Sequence, residues 1–91
     1  MSNKIIKFEL LLDFIRDINP ASEKIPLNAD TDLIGTGAID SYSMIQLIDA
    51  FEQRLGIIFN FTDLNAENFR SPQTLLEMLV AKYDCQIEGP A

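Results

Sequence analysis

The residues of this chain that could do chemistry are few. It contains no histidine, which removes the commonest general base and transition-metal ligand. Its one cysteine, Cys85, stands near the C-terminal end, where a lone thiol reads first as incidental packing rather than as a nucleophile. Asp30 and Asp32 form an acidic pair, but the spacing of a calcium loop is absent and they read as solvated loop charges. Gly35-Thr36-Gly37 invites a phosphate-loop reading. A nucleotide loop needs more glycines, a preceding strand and, in one type, a Lys-Ser/Thr pair. None of these is here, and the glycines read as a sharp turn before Asp40. What remains is Ser41, directly after Asp40 and at the start of an amphipathic segment.

Ser41 has a simple reading and a chemical one. Ser and Asp are favoured at helix N-termini, where a side-chain oxygen accepts from an orphan N–H. As a bare dipeptide, Asp40-Ser41 reads as a cap. On a helical wheel, Met44, Leu47, Ile48, Phe51 and Leu55 form one apolar stripe, and Ser41 falls at its outward edge. Tyr42 and Ile45 lie off the stripe on the solvent side, beside Gln46, Asp49 and Gln53. Two large hydrophobes exposed next to a helix-start serine exceed what capping requires, and suggest a surface that another protein reads.

The elements around this serine follow from periodicity and breakers. A first helix is predicted over about Asn3 to Ile18: Phe8, Leu12 and Ile15 recur at helical spacing, Leu11 and Phe14 widen the face, and Pro20 stops it. The stretch "INPASEKIPLNADTDLIGTGAID" holds Pro20, Pro26, Gly35 and Gly37 without a steady period. A loop of roughly 20 residues is long enough to expect a function for it, and Leu27, Leu33, Ile34 and Ile39 are spaced to pin it to a core. The second helix starts at Ser41 and stops near Gly56. A short turn or helix follows around Asn65 to Phe69. The last helix opens at Ser71-Pro72, buries Leu75, Leu76, Leu79 and Tyr83, and ends in the polar tail "CQIEGPA". With no segment alternating at strand period, the predicted fold is all-α. It is a small four-helix bundle with a long ordered first loop and a short third helix, one domain over residues 1–91 with about 84–91 a frayed tail.

Bulk properties narrow the function classes. The chain has 91 residues, 47% hydrophobic and 23% charged, a globular composition for one small domain. No apolar run approaches the roughly 18 residues of a membrane span, so no membrane insertion is expected. Lys7, Glu9 and Asp13 interrupt the N-terminal apolar stretch, which argues against a signal peptide. A single cysteine suits a reducing compartment, and the expected location is cytoplasmic. Seven basic residues face fourteen acidic ones, a net charge of −7. Lys4, Lys7 and Arg16 balance Glu9, Asp13 and Asp17, so the whole deficit lies from Ala21 onward. There is no basic patch to bind nucleic acid; an acidic surface steers toward basic partners instead.

Taken together, "DTDLIGTGAIDSYSMIQLIDAFEQRLGI" resembles the acyl carrier proteins. It has the acidic loop, a Gly-hydrophobic lead-in, Asp-Ser, and a helix of hydrophobic-x-x-hydrophobic-x-Leu pattern ending near Gly-Ile. "LNAENFRSPQTLLEML" looks like the family's short third helix and the start of its fourth. The resemblance covers nearly the whole chain. It implies that Ser41 carries a 4′-phosphopantetheine arm through a phosphodiester, installed from coenzyme A by a phosphopantetheinyl transferase. It further implies a monomeric, non-catalytic shuttle whose arm holds an acyl or aminoacyl thioester. A loading ligase or synthetase would fill the arm, and a downstream acyltransferase or synthase would empty it. By position, Asp40, Tyr42, Ile45, Gln46 and Asp49 would form the partner-facing surface.

Two departures from the fatty-acid carriers stand out. Their partner surface is often rich in Glu, whereas this helix has Gln46, Gln53 and Arg54, with only Asp49 and Glu52 acidic. Tyr42 stands where Leu or Met is usual. Gln46 and the "GTGAIDS" lead-in are closer to the D-alanyl carrier proteins and other stand-alone carriers of amino acids or specialised acyl groups. The rival from another class is a cofactor-free helical module that docks a partner through Tyr42 and Ile45.

Overall fold

The computed structural model describes residues 4–88. Its elements run β1 (Ile5–Ile6), α1 (Phe8–Ile18), a 3₁₀ turn (Pro20–Lys24), α2 (Ser41–Leu55), a 3₁₀ turn (Phe61–Asp63), α3 (Pro72–Tyr83) and β2 (Gln86–Ile87). Helix α1 is the central element and packs against both α2 and α3. Its buried face is Leu11, Phe14 and Ile15, with Phe8, Leu10 and Ile18 partly covered. The apolar face therefore centres on Leu11 rather than on the predicted Leu12, which stays outside the core cluster. On α2, Leu47, Ile48, Phe51 and Leu55 are buried as the wheel predicts. The rings of Phe14 and Phe51 meet at 6.1 Å, and the Arg54 guanidinium lies 5.5 Å from the centroid of Phe14. Each fully buried Leu, Ile or Phe contributes about 1.5–3 kcal/mol in a core of this kind.

Three helices are present among the described residues, not four. Around Asn65 to Phe69, where a short turn or third helix was expected, the chain forms a single helical turn closed by Phe69 N–H to Asn65 O at 3.2 Å; the Phe61–Asp63 3₁₀ turn precedes it. The asparagine side chains explain the brevity. Asn65 Oδ1 accepts from Asn68 N–H, and Asn68 Nδ2 donates to Asp63 O, so side chains take up backbone groups that a longer helix would pair. Ser71 and Pro72 then start α3 afresh, with a reciprocal cap between Ser71 and Thr74.

The fold is helical as expected, with one short strand pair at the ends of the described chain that the sequence did not suggest. Ile5 and Ile6 pair in parallel with Gln86 and Ile87, through Gln86 N–H to Lys4 O and Glu88 N–H to Ile6 O. Helix α1 accordingly starts at Phe8; Asn3, the predicted start, lies outside the described residues. The segment read as a frayed tail is ordered through Glu88: Cys85 is buried, and Lys7 meets Glu88 at 3.3 Å. Residues 89–91 of that tail also lie outside the described residues. Two β-branched residues gain a strand partner here that a helix would deny them.

The long first loop is ordered by the side chains expected to order it, with one exception. Leu33 and Ile39 are fully buried, joined by Ala38, and Leu27 is partly covered, but Ile34 is exposed. Leu33 N–H donates to Arg70 O and Gln73 N–H to Ala29 O, tying the loop to the start of α3. No helix among the described residues is long and apolar enough to cross a membrane.

Candidate functional site

The lead-in to α2 is a closed turn. Gly35 N–H donates to Asp32 Oδ1 at 2.9 Å, and Thr36 N–H to Asp32 O. Gly37 N–H donates to Ile34 O, Ala38 N–H to Thr36 Oγ1, and Ile39 N–H to Leu33 O. Every N–H from Gly35 to Ile39 is thus spent inside the loop, leaving none to cradle a phosphate. The glycines are structural. A Cβ on Gly35 would collide with the Asp32 carboxylate, and Gly37 takes φ +81°, where other residues are strained. Asp32 belongs to this turn rather than to a cation site.

Asp40, not Ser41, caps α2. Its backbone is extended, and its Oδ1 accepts from Ser43 N–H at 2.8 Å. The Ser43 N–H and then the Ser43 hydroxyl hold the Asp40 carboxyl below its ordinary pKa against a small opposing effect of burial, so the cap is charged at neutral pH. Ser41 occupies the first helical position and is exposed. Among the described residues nothing hydrogen-bonds its hydroxyl. A free, solvent-facing hydroxyl at the positive end of a 15-residue helix is accessible to another enzyme and suited to a linked phosphate. Asp40 opposes that anion, weakly, because both groups face water.

The other residues predicted for the site share α2. Tyr42 is 70% and Ile45 54% exposed, and with Asp49 they follow i, i+3, i+7 spacing along one face. Asp49 accepts from Gln53 Nε2 at 3.1 Å; Gln46 is half-buried and Asp40 exposed. Cys85 stays apart, with burial pushing its thiol pKa up, which disfavours the thiolate. A groove of about 850 Å³ lies between the start of α1, Leu27–Ala29, α3 and β2, and Ser41 does not line it.

Sequence reading passed over one residue near this site. Asn19, just past the end of α1, reaches the lead-in: its Nδ2 donates to Ala38 O at 2.9 Å and to Gly37 O at 3.3 Å. An asparagine between a helix end and a proline reads as a local cap, and only the fold shows what its side chain meets. Ile58 and Phe61, 89% and 75% exposed, were likewise unread.

A three-helix domain whose second helix opens on a bare serine hydroxyl has the form of a carrier. The family model described as "phosphopantetheine attachment site" matches residues 9–79, and the chain belongs to that family. The family carries a covalently attached 4′-phosphopantetheine group, and its members are typically non-catalytic carriers that meet phosphopantetheinyl transferases and other enzymes. No solved structure matches the chain.

Proposed function

We propose that this protein carries an acyl or aminoacyl group as a thioester on a 4′-phosphopantetheine arm attached to Ser41, and delivers it to partner enzymes. The observation that carries the reading is the exposed, unengaged Ser41 hydroxyl, freed from capping duty by Asp40. In loading, Ser41 Oγ bonds to the β-phosphorus of coenzyme A and the pyrophosphate bridge breaks. Adenosine 3′,5′-bisphosphate leaves with the bridging oxygen, and the hydroxyl proton passes to a base of the transferase, since this chain has no histidine to take it. When bound, the arm supplies a terminal thiol that activates the acyl carbon for transfer.

This chain's own part is presentation. Tyr42 and Ile45 offer an apolar foothold, with Asp40, Gln46 and Asp49 beside it, for the transferase, a loading ligase or synthetase, and a downstream acyltransferase or synthase. The tether raises the cargo's effective concentration at each of them. One domain working as a monomer in the cytoplasm suits this role, with the coenzyme A pool at hand and a reducing environment keeping the thiol free. The test is co-expression with a promiscuous phosphopantetheinyl transferase followed by intact-mass measurement. Wild type gains one pantetheine-sized adduct and Ser41→Ala gains none. An adduct of equal yield on Ser41→Ala would place the arm elsewhere.

A further inference from the structure

We propose that Asn19 is a positioning residue for the loading of Ser41, an inference that rests on the carrier reading above. Asn19 sits at a three-way junction. Its own N–H donates to Ile15 O at the end of α1, and its carbonyl accepts from Ser22 N–H in the 3₁₀ turn, so the backbone of Asn19 is fixed on both sides. From that platform the side-chain amide donates to two consecutive carbonyls of the lead-in, Gly37 O at 3.3 Å and Ala38 O at 2.9 Å. The amide is planar and its two N–H bonds diverge at a fixed angle, so holding both carbonyls sets the direction in which the chain enters Asp40 and Ser41.

Among the described residues no other side chain from outside the loop hydrogen-bonds the backbone of Gly35 to Ser41; the loop's other polar ties, Leu33 N–H to Arg70 O and Gln73 N–H to Ala29 O, lie upstream of the glycine turn. The N–H groups of Gly35 to Ile39 bond only within the loop. Ala38 and Ile39 are buried, but apolar contacts fix position better than orientation. Beyond Ser41, α2 is held independently by Leu47, Ile48 and Phe51. Loss of the Asn19 amide therefore loosens the Asp40 cap and the first turn, where Ser41 sits, and leaves the Ile45 and Asp49 part of the partner-facing surface in place. Displacement of a reacting atom by about 1 Å can cost on the order of 100-fold in rate. The effect of losing Asn19 falls on kcat for arm transfer rather than on the KM for the carrier.

Steady-state loading of the full chain by a phosphopantetheinyl transferase with coenzyme A, followed by intact mass, tests this. The variants are Asn19→Ala, Asn19→Asp and Tyr83→Phe. Asn19→Asp keeps the side-chain volume and turns a carboxylate toward two carbonyl oxygens, so it serves even where Asn19→Ala fails to fold. Tyr83→Phe loosens the distant end of α3 and controls for general destabilisation. Well below the unfolding temperatures, both Asn19 variants lose about tenfold in kcat with KM changed less than about twofold, while Tyr83→Phe loads at the wild-type rate. Hydrogen exchange at Ala38 to Ser43 rises in the Asn19 variants only. Wild-type kcat in both Asn19 variants, or an equal loss in Tyr83→Phe, overturns the positioning role alone. Absence of any adduct on wild type overturns the carrier reading and this inference together.

Discussion

The two ends of α2 are built from similar parts and treated in opposite ways. At its N-terminus an acidic cap, a serine and an aromatic residue face water, and the serine hydroxyl has no partner among the described residues. Beyond its C-terminus, the connector from Ile57 to Leu64 folds back on the end of α3, and several of its polar groups find partners there. Asp63, nearly buried, accepts from Lys82 Nζ at 2.7 Å and from the Tyr83 hydroxyl at 2.6 Å. The same Tyr83 oxygen accepts from Asn60 N–H at 2.9 Å. Glu52, from the last turns of α2, accepts from Phe59 N–H, and the rings of Phe59 and Tyr83 stack at 5.2 Å. One end is locked so that the other can be left open. An exposed hydroxyl is satisfied by water without internal partners, whereas the buried polar groups of a connector without regular structure need them.

Breaking the locked end should cost the most stability. Phe59 is buried against Phe69 and Tyr83, and truncation there removes both ring contacts and leaves a cavity. Phe59→Ala is expected to lose about 3–5 kcal/mol, a large share of the stability of a domain this small, read as a fall in the urea midpoint at unchanged slope. A loss under about 1 kcal/mol would show that the connector is not part of the core.

Asp63 sharpens the same contrast through pH. The hydrogen bond from Lys82, then that from Tyr83, holds its carboxyl below the usual carboxylate value, against a smaller opposing effect of burial. A carboxylate with a depressed folded pKa contributes stability above its unfolded value, near 4, and that contribution is lost as pH falls through the folded value. The gap in urea midpoint between wild type and Asp63→Asn should be constant above about pH 5 and close below about pH 4. A gap independent of pH down to 3 would mean that the carboxylate charge contributes nothing there.

These two ends also differ in how readable they are from sequence. The open end is local: Asp40, Ser41 and the stripe from Met44 to Leu55 lie within one helix, and period alone separates Leu47 from Tyr42. The locked end depends on Asp63 meeting Lys82 and Tyr83 across some twenty residues, which no periodicity encodes. The same limit hid the pairing of Ile5–Ile6 with Gln86–Ile87, since two-residue strands are too short to alternate and their partner lies at the far end of the chain. Asn19 escaped notice for that reason too. Its neighbours in sequence suggest a cap, and its contacts are eighteen and nineteen residues on. The missing short helix is a different failure. Around Asn65 to Phe69, the side chains of Asn65 and Asn68 are spent on nearby backbone, a competition that apolar patterning does not register.

At the open end the expected stability effect is small, and that is its signature. Ser41→Ala removes an exposed hydroxyl with no partner in the protein and leaves the Asp40 cap intact, so unfolding should shift by no more than about 0.5 kcal/mol. A loss of 1 kcal/mol or more would restore the capping interpretation of Ser41 and weaken its interpretation as a hydroxyl reserved for modification.

The smallest effect expected is also the one that reports on partners. The net charge of −7 gives the protein a field that a basic partner can follow, yet the α2 face presents only Asp40 and Asp49 beside Tyr42 and Ile45. Electrostatic steering raises association rates and is screened by salt, with a Debye length near 10 Å at 0.1 M. Apolar docking is indifferent to modest salt or strengthened by it. If the general field guides encounter and apolar docking through Tyr42 and Ile45 holds the complex, association with the transferase slows severalfold between about 0.05 and 0.5 M salt, while the dissociation rate barely changes. Flat association rates across that range would assign recognition to the two hydrophobes alone, and Ile45→Ala should then weaken binding far more than Asp49→Asn does.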